Sequence, residues 1–200
     1  MRQEDRVTGP REGGAGGGSS KRAVVLAVAG PLLALDVLTK GWIRGRFDPG
    51  ESVAVLGEWM RLTYVLNPGA AFGLHVGPYS RQLFVVLAVL ALVVIVWVVR
   101  GTPADDRPRL AALALVLGGA LGNLLDRLRP HGSVVDFLDV GWGPAVRWPV
   151  FNVADVGVTL GALLLVALLW SEETRGEGST APSARSPGRG ATGAPPEPAG

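Results

Sequence analysis

Four apolar blocks, Ala23 to Ile43, Gln82 to Val99, Leu110 to Leu125 and Val156 to Trp170, dominate a chain of 200 residues. Apolar residues bunched in this way predict membrane spans rather than one soluble core. The second block runs for 18 residues without a charge, which at about 1.5 Å per residue nearly crosses a hydrocarbon layer of roughly 30 Å. The third and fourth blocks, of 16 and 15 residues, are shorter. To span fully they must draw in the residues at their ends, and those residues are Asp126 and Asp155.

The expected architecture is an all-α membrane protein of four transmembrane helices, at about 23–43, 82–99, 110–128 and 153–170, with a small extracytoplasmic β-rich cap. Segments 44–81 and 129–152 supply the cap. Ser52–Leu56 and Met60–Leu66 read as short strands around a turn at Gly57, and Ser133–Leu138 is strand-like. Unpaired backbone cannot lie in lipid, so these pieces belong above the bundle. Residues 1–20 and 172–200, rich in Gly, Ser and Pro, read as disordered cytoplasmic head and tail around a membrane domain at 21–171.

Lys21-Arg22 and the following Ala27-Val28-Ala29 imitate a cleavable signal peptide, yet the apolar sequence continues well past that point, which favours a retained helix. Four spans put eleven Lys and Arg on the side of both termini and seven on the other. That bias predicts cytoplasmic termini. Asp126 and Asp155 then share one depth, near the extracytoplasmic surface.

With no cysteine there can be no disulfide or thiolate nucleophile, and the chain cannot itself be a cysteine-lipidated protein. His75 and His131 lie far apart without His-Glu-x-x-His spacing, against a zinc hydrolase. The basic residues are spread over loops and tails without interleaved aromatics, against nucleic-acid binding.

Carboxylates at a membrane boundary are costly and tend to be functional. Asp155 opens a helix, where the dipole favours it, but Asp126 closes one, where it does not. Each aspartate follows an asparagine by three residues, Asn123 before Asp126 and Asn152 before Asp155, a spacing that shares a helical face. Two facing carboxylates share a proton, so that one can take a proton from water while the other donates to a carbonyl oxygen. This is aspartic peptidase chemistry, and it calls for no metal or cofactor. Asp36 and Lys40, four apart, form an intrahelical pair read as structural. Asn67-Pro68-Gly69 is either a turn or a clamp on substrate backbone, and Asp136 either orients Arg127 or caps a strand.

Four motifs together, Asn67-x-Gly69-x-Ala71-Phe72-Gly73, Gly118-Gly119-x-x-Gly122-Asn123-x-x-Asp126-Arg127, Val134-Val135-Asp136-Phe137 and Phe151-Asn152-x-Ala154-Asp155, resemble lipoprotein signal peptidase, signal peptidase II. The similarity covers about residues 22–170. It implies a multi-pass aspartic endopeptidase of the bacterial inner membrane, inhibited by the cyclic peptide globomycin, with a small extracytoplasmic β-cradle. Its substrates would be prolipoproteins carrying a diacylglyceryl cysteine, cut on the N-terminal side of that cysteine, with membrane lipid around a monomer. The resemblance implies Asp126 and Asp155 as the catalytic pair. It implies lining or supporting roles for Asp36, Lys40, Asn67, Gly69, Asn123, Arg127, Asp136, Asn152 and Ala154.

Three rivals are weaker. Lys21 and Lys40 are the only lysines and no serine is spaced to pair with Lys40, against a serine–lysine peptidase. A proton-coupled transporter predicts carboxylates spread through the membrane depth. A purely structural membrane assembly protein predicts tolerance of neutral replacements at Asp126 and Asp155.

Overall fold

A computed structural model describes residues 15–69, 77–143 and 145–179. In chain order the elements are α1 (Ala15–Arg46), β1 (Ser52–Leu56), β2 (Met60–Asn67), a 3-10 turn (Gly77–Tyr79), α2 (Ser80–Gly101), α3 (Arg107–Leu128), β3 (Val134–Trp142), β4 (Val146–Arg147) and α4 (Val153–Ser179). Four helices are long and apolar enough to cross a membrane. Several boundaries differ from expectation: α2 and α3 start earlier, β3 runs on to Trp142 rather than Leu138, and β4 is an addition. Helix α1 begins at Ala15 inside the supposed head, and α4 runs into the supposed tail as far as Ser179. Ala71, Phe72, Gly73 and His75 lie outside the described residues.

The helix ends follow local chemistry. Thr102 precedes Pro103, and a residue before proline is driven out of the helical region, so α2 stops there with Thr102 extended at ψ 133°. Asp106 caps α3 by accepting from the Arg109 amide at 3.1 Å. Only five residues, 102–106, separate the two helices. They are antiparallel neighbours in consequence.

Helix α3 is the axis of the bundle, packed by α1, α2 and α4. Small residues permit the approach. A Cβ on Gly161 of α4 would lie 2.6 Å from the Ala112 carbonyl oxygen of α3, and one on Gly119 would collide with the Ala154 carbonyl. Lipid supplies no hydrophobic drive between helices, so close backbone packing of this kind is what joins them. The outer faces are correspondingly apolar. Val86, Leu90, Val93 and Trp97 of α2 and Leu160, Leu163 and Val166 of α4 are exposed.

The strands make one antiparallel sheet of order β1-β2-β3-β4. Pairing of β2 with β3 sets Asn67 opposite Val134 and Val65 opposite Asp136. Ile43, at the end of α1, packs with Tyr64, Val135 and Phe137, so the sheet rests on that end of the bundle. A bridge between Leu138 and Phe151 then draws the chain back along β3 and delivers it to the start of α4.

Candidate active site

The start of α4 is held from inside and from across the bundle. Asn152 is its N-cap, with Oδ1 accepting from the Asp155 amide at 2.9 Å while Asp155 Oδ2 accepts from the Asn152 amide at 3.2 Å. This reciprocal arrangement is a capping box with Asn and Asp in place of the usual Ser and Glu. The spacing of three thus marks a helix start, not two positions on one helical face. Asp36 of α1 completes it, since its Oδ1 accepts from the Ala154 amide at 2.9 Å. Ala154 is fully buried, and a side chain on Gly122 would sit 2.5 Å from the Asp36 carboxylate.

Asn123 and Asn152 organise the carboxylates. Asn123 does not serve Asp126, its neighbour by spacing. Its Nδ2 donates across the bundle to Asp155 Oδ1 at 2.7 Å, and its Oδ1 accepts from Lys40 Nζ at 3.0 Å and Asn152 Nδ2 at 3.2 Å. Asn152 Nδ2 also donates to Asp136 Oδ1 at 2.6 Å. The second Asp136 oxygen accepts from Asn67 Nδ2 at 3.0 Å, and Asn67 Oδ1 in turn accepts from the Gly69 amide at 3.0 Å. Asp136 and Asp155 are therefore tied through one asparagine.

Both face a cleft of about 500 Å³, whose polar lining also includes Asn67, Asn123 and Arg127. Trp148, Phe151, Val156 and Leu160 form apolar parts of its wall. Arg127 donates to the carbonyl oxygens of Asn123 at 3.2 Å and Gly69 at 3.0 Å, and stacks its guanidinium 5.8 Å from the Phe84 ring centre. It pins the Asn67–Gly69 corner to α3. Burial pushes the Asp136 carboxyl up to about 6, with the Asp155 charge adding to the rise and the amides of Asn67 and Asn152 opposing it.

Asp126 occupies a different environment. It is 2% exposed and does not line the cleft. Arg44 Nη1 contacts its Oδ1 at 2.9 Å, and Lys40 Nζ (3.1 Å) and the Val135 amide (3.3 Å) contact its Oδ2. Lys40 spends its three donors on Asp36 (2.8 Å), Asp126 and Asn123. The expected facing of Asp126 and Asp155 is replaced by a different one: Asp126 is engaged by Lys40, Arg44 and the Val135 amide, while Asp136 of β3 shares Asn152 and the cleft with Asp155. Arg44 was not anticipated at all. Asp136 had a readable signal, a carboxylate within the apolar strand Val134-Val135-Asp136-Phe137-Leu138, a placement that burial penalises unless the group is paired or used.

The sequence model of the family described as signal peptidase (SPase) II matches residues 28–171. A lipoprotein signal peptidase of Moorella thermoacetica is 50% identical over 135 residues, covering 67% of this chain and 84% of that protein. One from Rhodococcus jostii is 44% identical over 154 residues, covering 74% and 73%. A solved bacterial membrane enzyme superposes with a TM-score of 0.68 at 28% identity, over 76% of this chain and 91% of the other. With the fold, the motifs and the family match in agreement, this chain belongs to the signal peptidase II family of aspartic-type membrane peptidases.

Proposed function

We propose that this chain removes signal peptides from diacylglyceryl-modified prolipoproteins, cutting N-terminal to the lipidated cysteine, with Asp136 and Asp155 as the catalytic pair. The carrying observation is that these two carboxylates, linked through Asn152, both line the cleft, whereas Asp126 is enclosed by Lys40 and Arg44. Asp136, with its raised proton affinity, is the acid. Asp155 is the base. A carboxyl group whose burial favours the protonated form suits the acid's role.

In this reading a water between the pair gives a proton to Asp155 as its oxygen attacks the scissile carbonyl carbon. Asp136 gives its proton to the carbonyl oxygen, forming a neutral gem-diol. The diol returns a proton to Asp136 and re-forms the carbonyl as the C–N bond breaks, and the amine leaves with the proton held by Asp155. Asn123 and Asn152 hold the carboxylates in place, and Arg127 holds the corner that carries Asn67.

The acyl chains lie in lipid against the α4 face of Val156 and Leu160, and remote binding energy of this kind positions the reacting bond. The excess of Lys and Arg toward the termini supports cytoplasmic ends and an extracytoplasmic cleft, in a bacterial inner membrane. One chain supplies every group named, which supports action as a monomer. No step calls for a metal or cofactor.

The test is cleavage of a diacylated prolipoprotein by separate Asp136→Asn, Asp155→Asn and Asp126→Asn variants. The first two leave precursor uncut at normal protein level. Turnover by Asp136→Asn, beside an inert but well-folded Asp126→Asn, sinks the assignment.

A further inference from the structure

A second cavity lies at the opposite end of the bundle. Helix α2 leans on α3 rather than on α1, which leaves a lateral groove of about 580 Å³ between α1 and α2. Val25 and Leu26 of α1, Val96 and Val99 of α2 and Leu117 of α3 make it apolar. Lys21, Arg22 and Arg100 also line it. Lys21 Nζ donates to the Arg100 carbonyl oxygen at 3.0 Å, and so offsets the negative end of α2 where an anion would otherwise be repelled. Among the described residues none of these three cations forms a salt bridge, although Arg109, on the same end, pairs with both Asp106 and Glu172.

We infer that this groove is a binding site for an anionic phospholipid, its phosphate held by Lys21, Arg22 and Arg100 and one acyl chain lying between α1 and α2. The argument is charge complementarity joined to depth. Soluble anions have no use for a wall of Val and Leu, and zwitterionic lipids carry their own cation toward the same three residues. A basic pocket between membrane helices on the cytoplasmic side is suited to a lipid with net negative charge. The site goes beyond the peptidase reading and does not depend on it, since no residue of the cleft takes part.

The probe is phosphatidylglycerol against phosphatidylcholine, retained on the delipidated full chain and counted by native mass spectrometry. The variants are Arg22→Gln with Arg100→Gln, leaving the Lys21 contact in place, Val25→Trp to fill the groove, and Arg107→Gln as an exposed control on the same end. Wild type retains phosphatidylglycerol in preference. The double variant binds it about thirtyfold more weakly, from roughly 1 kcal/mol per cation. Val25→Trp weakens both lipids, Arg107→Gln changes little, and prolipoprotein cleavage in detergent is unaltered in all of them. Equal retention of the two lipids by wild type overturns the site. So does a loss in Arg107→Gln as large as in the double variant, or competition by free inorganic phosphate as strong as by lipid.

Discussion

Asp126 and Asp136 are ten residues apart and nearly equally buried, at 2% and 3% exposed, yet their partners differ in kind. Asp126 is met by cations, Lys40 and Arg44 from another helix and, at 3.7 Å, Arg129 just after its own. Asp136 is met by two neutral amides, Asn67 and Asn152. Cationic partners on both oxygens make a clamp that joins α1 to α3, and removing one member strands a buried charge. Amide partners fix where a carboxylate points without cancelling it, so its proton stays negotiable. Under the proposed assignment the same side chain serves assembly at Asp126 and chemistry at Asp136, and the choice of donor separates the uses.

The largest expected effects bear directly on that division. Asp136→Asn and Asp155→Asn lower kcat/KM by about 10³-fold or more while the chain stays folded with normal helix content, as read from cleavage assays and circular dichroism in detergent. Asp126→Asn does the reverse. It leaves Lys40 and Arg44 partly uncompensated and destabilises the chain by about 3–5 kcal/mol, while the fraction that remains folded still cuts substrate. Equal damage to turnover from all three, at unchanged stability, would erase the distinction between clamp and dyad.

Asn123→Ala is the intermediate case, because Asn123 touches both clusters through Lys40 and Asp155. Loss of a buried hydrogen bond to a charged group costs about 1.5–3 kcal/mol, so kcat should fall roughly tenfold to a hundredfold with KM little changed. Titration sharpens the comparison further. Asp136 ionises at about 6 in the folded chain against 3.8 unperturbed, so its protonated form is favoured by folding. Its contribution to stability is present in full below 3.8 and is lost as pH rises through about 6, a change of about 3 kcal/mol relative to Asp136→Asn. As the acid, it also makes kcat/KM fall as pH rises above about 6. The smallest effect is expected at the far end, where the half-exposed Arg109–Glu172 pair should yield less than about 1 kcal/mol on Glu172→Gln and no change in turnover.

Much of this was legible in the chain. Blocks of apolar sequence announced four spans, and the strand of Ser52–Leu56 was readable to its ends because turn residues flank it. The Phe151-Asn152-x-Ala154-Asp155 segment carried a helix start in plain view. Partner choice was less accessible. Asn123 sits three residues before Asp126, yet its amide crosses to α4, a preference set by tertiary packing. Local surroundings suggest only an orienting or capping role for Asp136. Only the return of the chain through the Leu138–Phe151 bridge brings it beside Asp155, and no period or spacing encodes that bridge.

The bond from the Ala154 amide to Asp36 joins the first helix of the bundle to the opening turn of the last. During synthesis that partner is missing until the fourth span has left the ribosome and come to rest beside the first. A nascent chain with three helices inserted holds Asp136 but neither Asp155 nor the box that orients it. With Asp136 and Asp155 as the proposed pair, proteolytic competence waits for that fourth span, and a chain without it has nothing with which to cut its neighbours.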